Sequence, residues 1–258
     1  MSSKALEVRP DGTRRAVSRA WVPEAPVALE FNGLSYAVMM ATPVELEDFA
    51  TGFALNEGLA AQAAEVSDIA VAQVADGWIV RARLSGLGID KLTERVRTRV
   101  AESSCGLCGI DNLAEVARAL PAVAPHAGIA PAAVFAALAA MPALQHLSFR
   151  TGAAHAAAWA DSDGKIGLLR EDVGRHNALD KLVGAMARSG RSLAPGFVLS
   201  SARCSYEIVE KTVRAGATTL VCVSLPTTLA AERARSAGLS LWALGREDSV
   251  LLVNDASA

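Results

Sequence analysis

Cysteine is sparse. Four in 258 residues do not make a disulfide scaffold, and a chain this long can bury roughly three quarters of its unfolded surface without such staples. A basic surplus is also lacking. The formal net charge is -2 and the pI is near 6.1, which excludes a general nucleic-acid binder dependent on phosphate neutralisation, though not local basic sites. No long apolar run exists either. The most apolar stretch, Ile129 to Leu144, is broken by Pro131 and Pro142 and is too short to span about 30 Å of hydrocarbon, so membrane insertion is not expected. The opening MSSKALEVRPDGTRR carries charges and no apolar h-region, and the expectation is a cytoplasmic protein.

Apolar residues, by contrast, are plentiful. They make up 52% of the chain against 20% charged, with a mean hydropathy of +0.29, which excludes a disordered tail. One large domain or two modest ones follow from the length. The first 24 residues are polar and read as an ordered edge or a loose arm. From Val27, alternating apolar runs flank Asn32-Gly33, a hairpin signal because both residues tolerate the positive φ of a type I′ turn. TPVELEDFATGFALNEG then reads as a helix with Thr42 as N-cap, Pro43 in its first position, Glu45 completing a capping box and Gly58 as the stop. A second hairpin is expected around Asp76 and Gly77, and a charged helix from about Asp90 to Val100. Met39 and Met40 read as core.

Pro121 to Pro131 looks like a boundary, which divides the chain into an α+β unit, 1–121, and a second unit, 122–258. Beyond it the pattern changes. A helix over Ala132 to Ala140 and two strands around Asp163-Gly164 precede an alternation: helix His176 to Arg188, strand Phe197 to Ser200, helix Ser205 to Ala215, strand Thr218 to Ser224, helix Thr227 to Ala237, and a last strand Leu239 to Leu244. Strands alternating with helices of this length imply βαβ units and a partly parallel sheet covered on both faces.

SSCGLCG, Ser103 to Gly109, is the most chemically loaded stretch. Flanking glycines let the loop present sulfur and let a bulky partner approach, and a following helix starting near Asp111 would favour a thiolate. A zinc knuckle would need two further ligands, while Cys204 and Cys222 are single and fall in or beside strands; no structural metal is expected. A thioredoxin-like motif fits Gly106 and Leu107 poorly. A persulfide-carrying loop needs one nucleophilic cysteine, a second thiol and mobility, and the stretch supplies these.

Together with EDVGRHNALDKLVG (Glu171 to Gly184), TGAAHAAA (Thr151 to Ala158) and the early TPVELEDF block, SSCGLCG resembles the FdhD family, the formate dehydrogenase accessory sulfurtransferases. The resemblance runs from about Glu24 to the last strand. Separately, the order helix, hairpin, then three helix-strand units is that of the cytidine-deaminase-like fold, so by analogy the expectation is an α/β fold with a cytidine-deaminase-like three-layer C-terminal domain and a smaller N-terminal one. The resemblance itself implies an enzyme of sulfur transfer, a cytoplasmic homodimer that receives sulfur from a cysteine desulfurase. The acceptor would be the bis(molybdopterin guanine dinucleotide) molybdenum cofactor, bound as substrate before its insertion into the formate dehydrogenase apoenzyme. Cys105 corresponds to the family's persulfide cysteine and Cys108 to the second. The family's cofactor-binding segment corresponds to Leu241, Trp242, Ala243, Leu244, Gly245 and Arg246.

From the residues themselves, Ser201 and Arg203, and Ser224 and Thr227, lie where a strand meets a helix amino terminus, which suits phosphate. Arg175, His176 and Asn177 open a helix after Gly174 and read as a ligand-facing group. The deaminase proton shuttle is missing, since His155 is followed by Ala156 and Ala157. A non-catalytic chaperone for the same cofactor is the alternative; it predicts cofactor binding that survives loss of both loop cysteines.

Overall fold

The computed structural model describes residues 2–86, 92 and 119–257. Apart from Leu92, which is helical and buried, the helix expected at Asp90 to Val100 lies outside the described residues, as do the cysteine loop with Cys105 and Cys108 and the helix expected to start near Asp111.

The polar N-terminus is a two-stranded antiparallel ribbon, β1 (Ser2–Val8) and β2 (Arg14–Ala20), paired from Ser2 with Ala20 to Val8 with Arg14. β3 (Ala25–Phe31) and β4 (Leu34–Ala41) follow, joined at Asn32 (φ 51°) and Gly33 (φ 80°) as the type I′ turn requires. Helix α1 (Leu46–Asn56) leads to a short 3-10 turn and the hairpin β5 (Val66–Val74) and β6 (Gly77–Leu84). These strands form one sheet in the order β4-β3-β6-β5, with β3 and β6 parallel. Val27, Leu29 and Phe31 alternate onto its inner face and pack with Val80, Phe49 and Phe53 of α1 into one core.

The capping box is not formed. α1 starts four residues after Thr42, and Glu45 takes the N-cap position in a left-handed conformation without a side-chain cap. Thr42 is recruited elsewhere: its N–H donates to Asp172 Oδ2 at 3.0 Å and its Oγ1 accepts from the Val173 N–H at 3.0 Å. Met40 is half exposed rather than core, at 49%, because it lies on the outer face of its strand.

Residues 119–130 carry no regular element, and Leu120 and Val123 pack against the following core. Then come α2 (Pro131–Leu144), α3 (His146–Thr151), β7 (His155–Ala160), β8 (Ile166–Asp172), α4 (Arg175–Arg188), β9 (Phe197–Ser200), α5 (Tyr206–Arg214), β10 (Thr219–Cys222), α6 (Thr228–Ala237), β11 (Ser240–Ala243) and β12 (Leu251–Asn254). The second sheet has the order β12-β11-β10-β9-β7-β8. β9, β10 and β11 are parallel, β7 runs against both its neighbours, and β12 pairs antiparallel outside β11, so β11 is not the last strand.

Every residue of β9, β10 and β11 is buried, as expected of parallel strands covered on both faces. One face packs against α4, α5 and α6 through Leu179, Leu182, Ile208, Val209 and Ala234. The other packs against α2 through Val134, Ala137 and Met141, with Phe197, Leu199 and Trp242 from the strands. The fold is mixed α/β. Among the described residues no helix is long and apolar enough to cross a membrane.

The two sheets meet through α1 and α4, and glycines set the approach. A Cβ on Gly52 would fall 1.7 Å from Asp180 O, and one on Gly184 would fall 1.9 Å from Asp48 O. Only hydrogen at both positions lets the backbones come this close.

Candidate functional site

β8, β9, β10 and β11 point the same way, so their carboxyl ends share one edge of the sheet, and His155 at the start of the antiparallel β7 joins them there. Loops outside the carboxyl ends of such strands are the usual place for ligands. Here they are stitched together. Thr227 N donates to Cys204 O at 3.0 Å, Val223 N to Ser200 O at 3.0 Å, Leu244 N to Ser224 O at 3.3 Å and Gly245 N to Cys222 O at 3.2 Å.

This edge gathers the residues expected from the sequence, but they divide by what their atoms do. Ser201 is structural: its Oγ accepts from Ala156 N at 2.8 Å while its own N–H donates to Ala156 O at 3.0 Å. Thr227 caps α6 by accepting from Ala230 N at 3.2 Å. Leu241, Trp242 and Ala243 are buried strand residues. Leu244 (φ 52°), Gly245 and Arg246 form the turn beyond them. The exposed Arg246 is held by one nitrogen, Nη1, which donates to Val223 O at 2.6 Å and Gly245 O at 2.9 Å. Its remaining donors have no protein partner among the described residues and suit an anion. Arg203 is exposed beside them, and Ser224 is partly so.

Asn177 is buried, and its amide nitrogen donates to Met40 O at 2.8 Å and Asp172 Oδ1 at 3.0 Å. It positions the start of α4 rather than facing a ligand. Fully buried Lys181 likewise spends its ammonium on Asp172 Oδ2 at 2.7 Å and Thr42 O at 2.9 Å. Asp172 is the hub, since it also accepts from the N–H groups of Thr42 and Gly174. Buried Asp180 accepts from Asn56 at 2.6 Å and Lys211 at 2.8 Å; burial pushes its carboxyl up, with Lys211 opposing.

Arg175 and His176 do face the edge. His176 Nε2 lies 3.1 Å from Glu207 Oε2, which also accepts from Ser205 Oγ at 3.1 Å, while Arg175 Nη2 stands off at 3.9 Å. Glu207 Oε1 and Arg175 Nε are buried without a hydrogen-bond partner among the described residues. Next to them, burial and the charges of Arg175, His176 and Arg203 hold the His155 imidazole below its ordinary range, with Asp172 opposing. Glu207 and Asp172 were not singled out as site residues from the sequence. Each joins near neighbours in the chain (Ser205 for Glu207; Gly174, Asn177 and Lys181 for Asp172) to one distant partner, His176 31 residues away and Thr42 130 residues away, and no local spacing announces those distant ones.

The family model described as the FdhD/NarQ family matches residues 22–257. A Bordetella petrii protein named sulfur carrier protein FdhD is 46% identical over 218 residues, 84% of this chain and 78% of its own length. A Chromobacterium violaceum protein of the same name is 45% identical over 244 residues, covering 93% and 90%. A crystal structure from Desulfotalea psychrophila, described as a formate dehydrogenase accessory protein, superposes with a TM-score of 0.76 over 99% of this chain and 96% of its own. At 22% identity that likeness bears on the fold alone. With nearly the whole length matched, the chain belongs to the FdhD/NarQ family.

Proposed function

We propose that this chain is a sulfur carrier serving formate dehydrogenase, a cytoplasmic sulfurtransferase working as a homodimer. Cys105 receives sulfur from a cysteine desulfurase and passes it to the bis(molybdopterin guanine dinucleotide) molybdenum cofactor. The observation that carries this reading is the shared name of relatives 45–46% identical over most of their length. The C-x-x-C of Cys105 and Cys108 and the cationic edge with Arg175, Arg203 and Arg246 add chemical support: one offers sulfur, the other suits the phosphates of a dinucleotide.

The transfer is an exchange at sulfur. The Cys105 thiolate attacks the outer sulfur of the donor's persulfide; a new S–S bond forms, the donor's S–S bond breaks, and its pair leaves on the donor's thiolate. In the second step an electron pair from the acceptor attacks the outer sulfur on Cys105, and the S–S pair returns to Cys105 Sγ. Cys108 supplies a neighbouring thiol for either step.

Intact-mass analysis after incubation with a cysteine desulfurase and cysteine tests this. The peptide containing Cys105 is expected to gain one sulfur mass. Cys105→Ala should lose both the added sulfur and support of formate dehydrogenase activity while keeping its unfolding midpoint. A Cys105→Ala chain that supports full activity would overturn the reading, and mass gain in the Cys108→Ala chain separates carrying from assisting.

A further inference from the structure

Two of the four cysteines take no part in the chemistry proposed above, and the fold brings them together. Cys204 and Cys222 are free thiols, fully buried, in one core cluster directly behind the ligand edge. Cys222 ends β10 opposite Ser200 at the end of β9, and Cys204 follows in the loop after β9, bridged to Pro226 in the loop after β10. Their thiols share a hydrogen bond. A single buried cysteine is an ordinary small apolar side chain, but two in contact form a dithiol, one oxidation away from a covalent bond.

The pair lies where the loops of the edge are tied. Cys204 O accepts from Thr227 N at 3.0 Å and Cys222 O accepts from Gly245 N at 3.2 Å. The same two residues therefore anchor the turns that carry Arg203, Ser224 and Arg246. The cover over them is thin: Arg203, next to Cys204, and Leu225, three residues past Cys222, are both exposed. While the loops are closed, the Cys204 thiol and burial push the Cys222 thiol well above its ordinary range, and a protonated thiol is a poor nucleophile. Reaction therefore waits for the loops to open.

We propose that Cys204 and Cys222 are a redox-sensitive pair whose disulfide locks the loops of the ligand edge, with a peroxide as the oxidant. In the opened edge one thiolate attacks a peroxide oxygen; the O–O bond breaks, leaving a sulfenic acid and a hydroxide that takes up the thiol's proton. The second thiol attacks that sulfur, the S–S bond forms, the S–O bond breaks, and the oxygen leaves as water. The net change converts two thiols and one hydrogen peroxide into one disulfide and two waters. A dithiol reductant reverses it by exchange. The new bond joins the β9 loop to the end of β10, and a cross-link removes the freedom of the joined segments to separate.

Peptide mapping without reduction reads the bond directly, because trypsin places Cys204 in residues 204–211 and Cys222 in residues 215–233. After hydrogen peroxide treatment of the folded full chain, these two peptides should appear joined, lighter by two hydrogens than their sum, and dithiothreitol should separate them. Hydrogen exchange at residues 201–205 and 223–227 should slow about tenfold or more in the oxidised chain. Cys204→Ala treated in the same way should show no slowing; should that variant unfold, Cys222→Ser makes the same comparison. Both thiols still free after excess peroxide would overturn the proposal. So would a joined pair whose loops exchange as before, or slowing that persists in the single-cysteine variants. The mapping reads this pair apart from Cys105. A chain that forms the bond but takes up no sulfur from a desulfurase therefore loses the sulfur-carrier reading and keeps this one, and the converse result does the reverse.

Discussion

A buried ion pair, Asp172 with Lys181, holds the ligand edge in place although neither member faces it. Both side chains are fully buried, and burial of an unpaired charge is far more costly than burial of a matched pair. The carboxylate is saturated by Lys181 Nζ, the Asn177 amide and the N–H groups of Thr42 and Gly174. It therefore fixes three things at once: the end of β8, the first turn of α4 with Arg175 and His176, and the segment after β4. Asp172→Ala leaves the Lys181 ammonium without its counter-charge, and urea unfolding should show a loss of about 3–5 kcal/mol. The matched replacement Asp172→Leu with Lys181→Met removes both charges and should lie closer to the parent than Asp172→Ala does. A double variant as unstable as the single one would show that the four accepted hydrogen bonds, rather than the stranded lysine, carry the effect.

At the level of elements, the crossing of α1 and α4 depends on two glycines. A Cβ on Gly184 would meet Asp48 O at 1.9 Å and Gly52 N at 2.7 Å, backbone atoms that cannot rotate away. Gly184→Ala should therefore cost about 1–3 kcal/mol or more through overpacking, although alanine favours helix intrinsically; a denaturation midpoint no lower than the parent's would mean that the helices slide apart freely. Most of the helices were legible in the sequence, although α3 (His146–Thr151) was not expected. Gly174 before α4 and Gly238 (φ 76°) after α6 mark their ends, and the buried runs of β9, β10 and β11 read as strands because parallel strands are apolar on both faces. What could not be read was any choice made by a distant partner. Thr42 has the sequence signature of an N-cap, but a carboxylate 130 residues away takes its N–H, and α1 begins later. β12 escaped because it is a four-residue edge strand with half-exposed Leu251 and Leu252. The candidate edge was legible in the same partial way: its loops could be placed from the strand-helix alternation, whereas the burial of Leu241 and Trp242 and the pairing of Glu207 with His176 depend on packing across elements.

For the molecule as a whole, stability rests on the two sheets and the helices between them, and the ribbon of β1 and β2 stands apart. It precedes the matched family region, which begins at residue 22, and Leu6 and Val8 remain 62% exposed on it. Its ion pairs, Glu7 with Arg15 at 3.2 Å and with Arg9 at 3.8 Å, join largely exposed side chains, and such pairs contribute about 0–1 kcal/mol. A two-stranded ribbon is marginal in water unless it packs on something. Removing residues 2–20 should leave the urea midpoint and the slope of unfolding nearly unchanged, because the slope follows the surface exposed on unfolding and the ribbon buries little. Hydrogen exchange should agree, with ribbon amides exchanging through local opening and those of β9, β10 and β11 only through global unfolding. The ribbon also holds five Lys or Arg against two Asp or Glu in a chain whose net charge is -2, so its removal makes the remainder more acidic and should move the chain to later salt elution on an anion exchanger. A fall in the urea midpoint of the shortened chain would place the ribbon within the cooperative core instead.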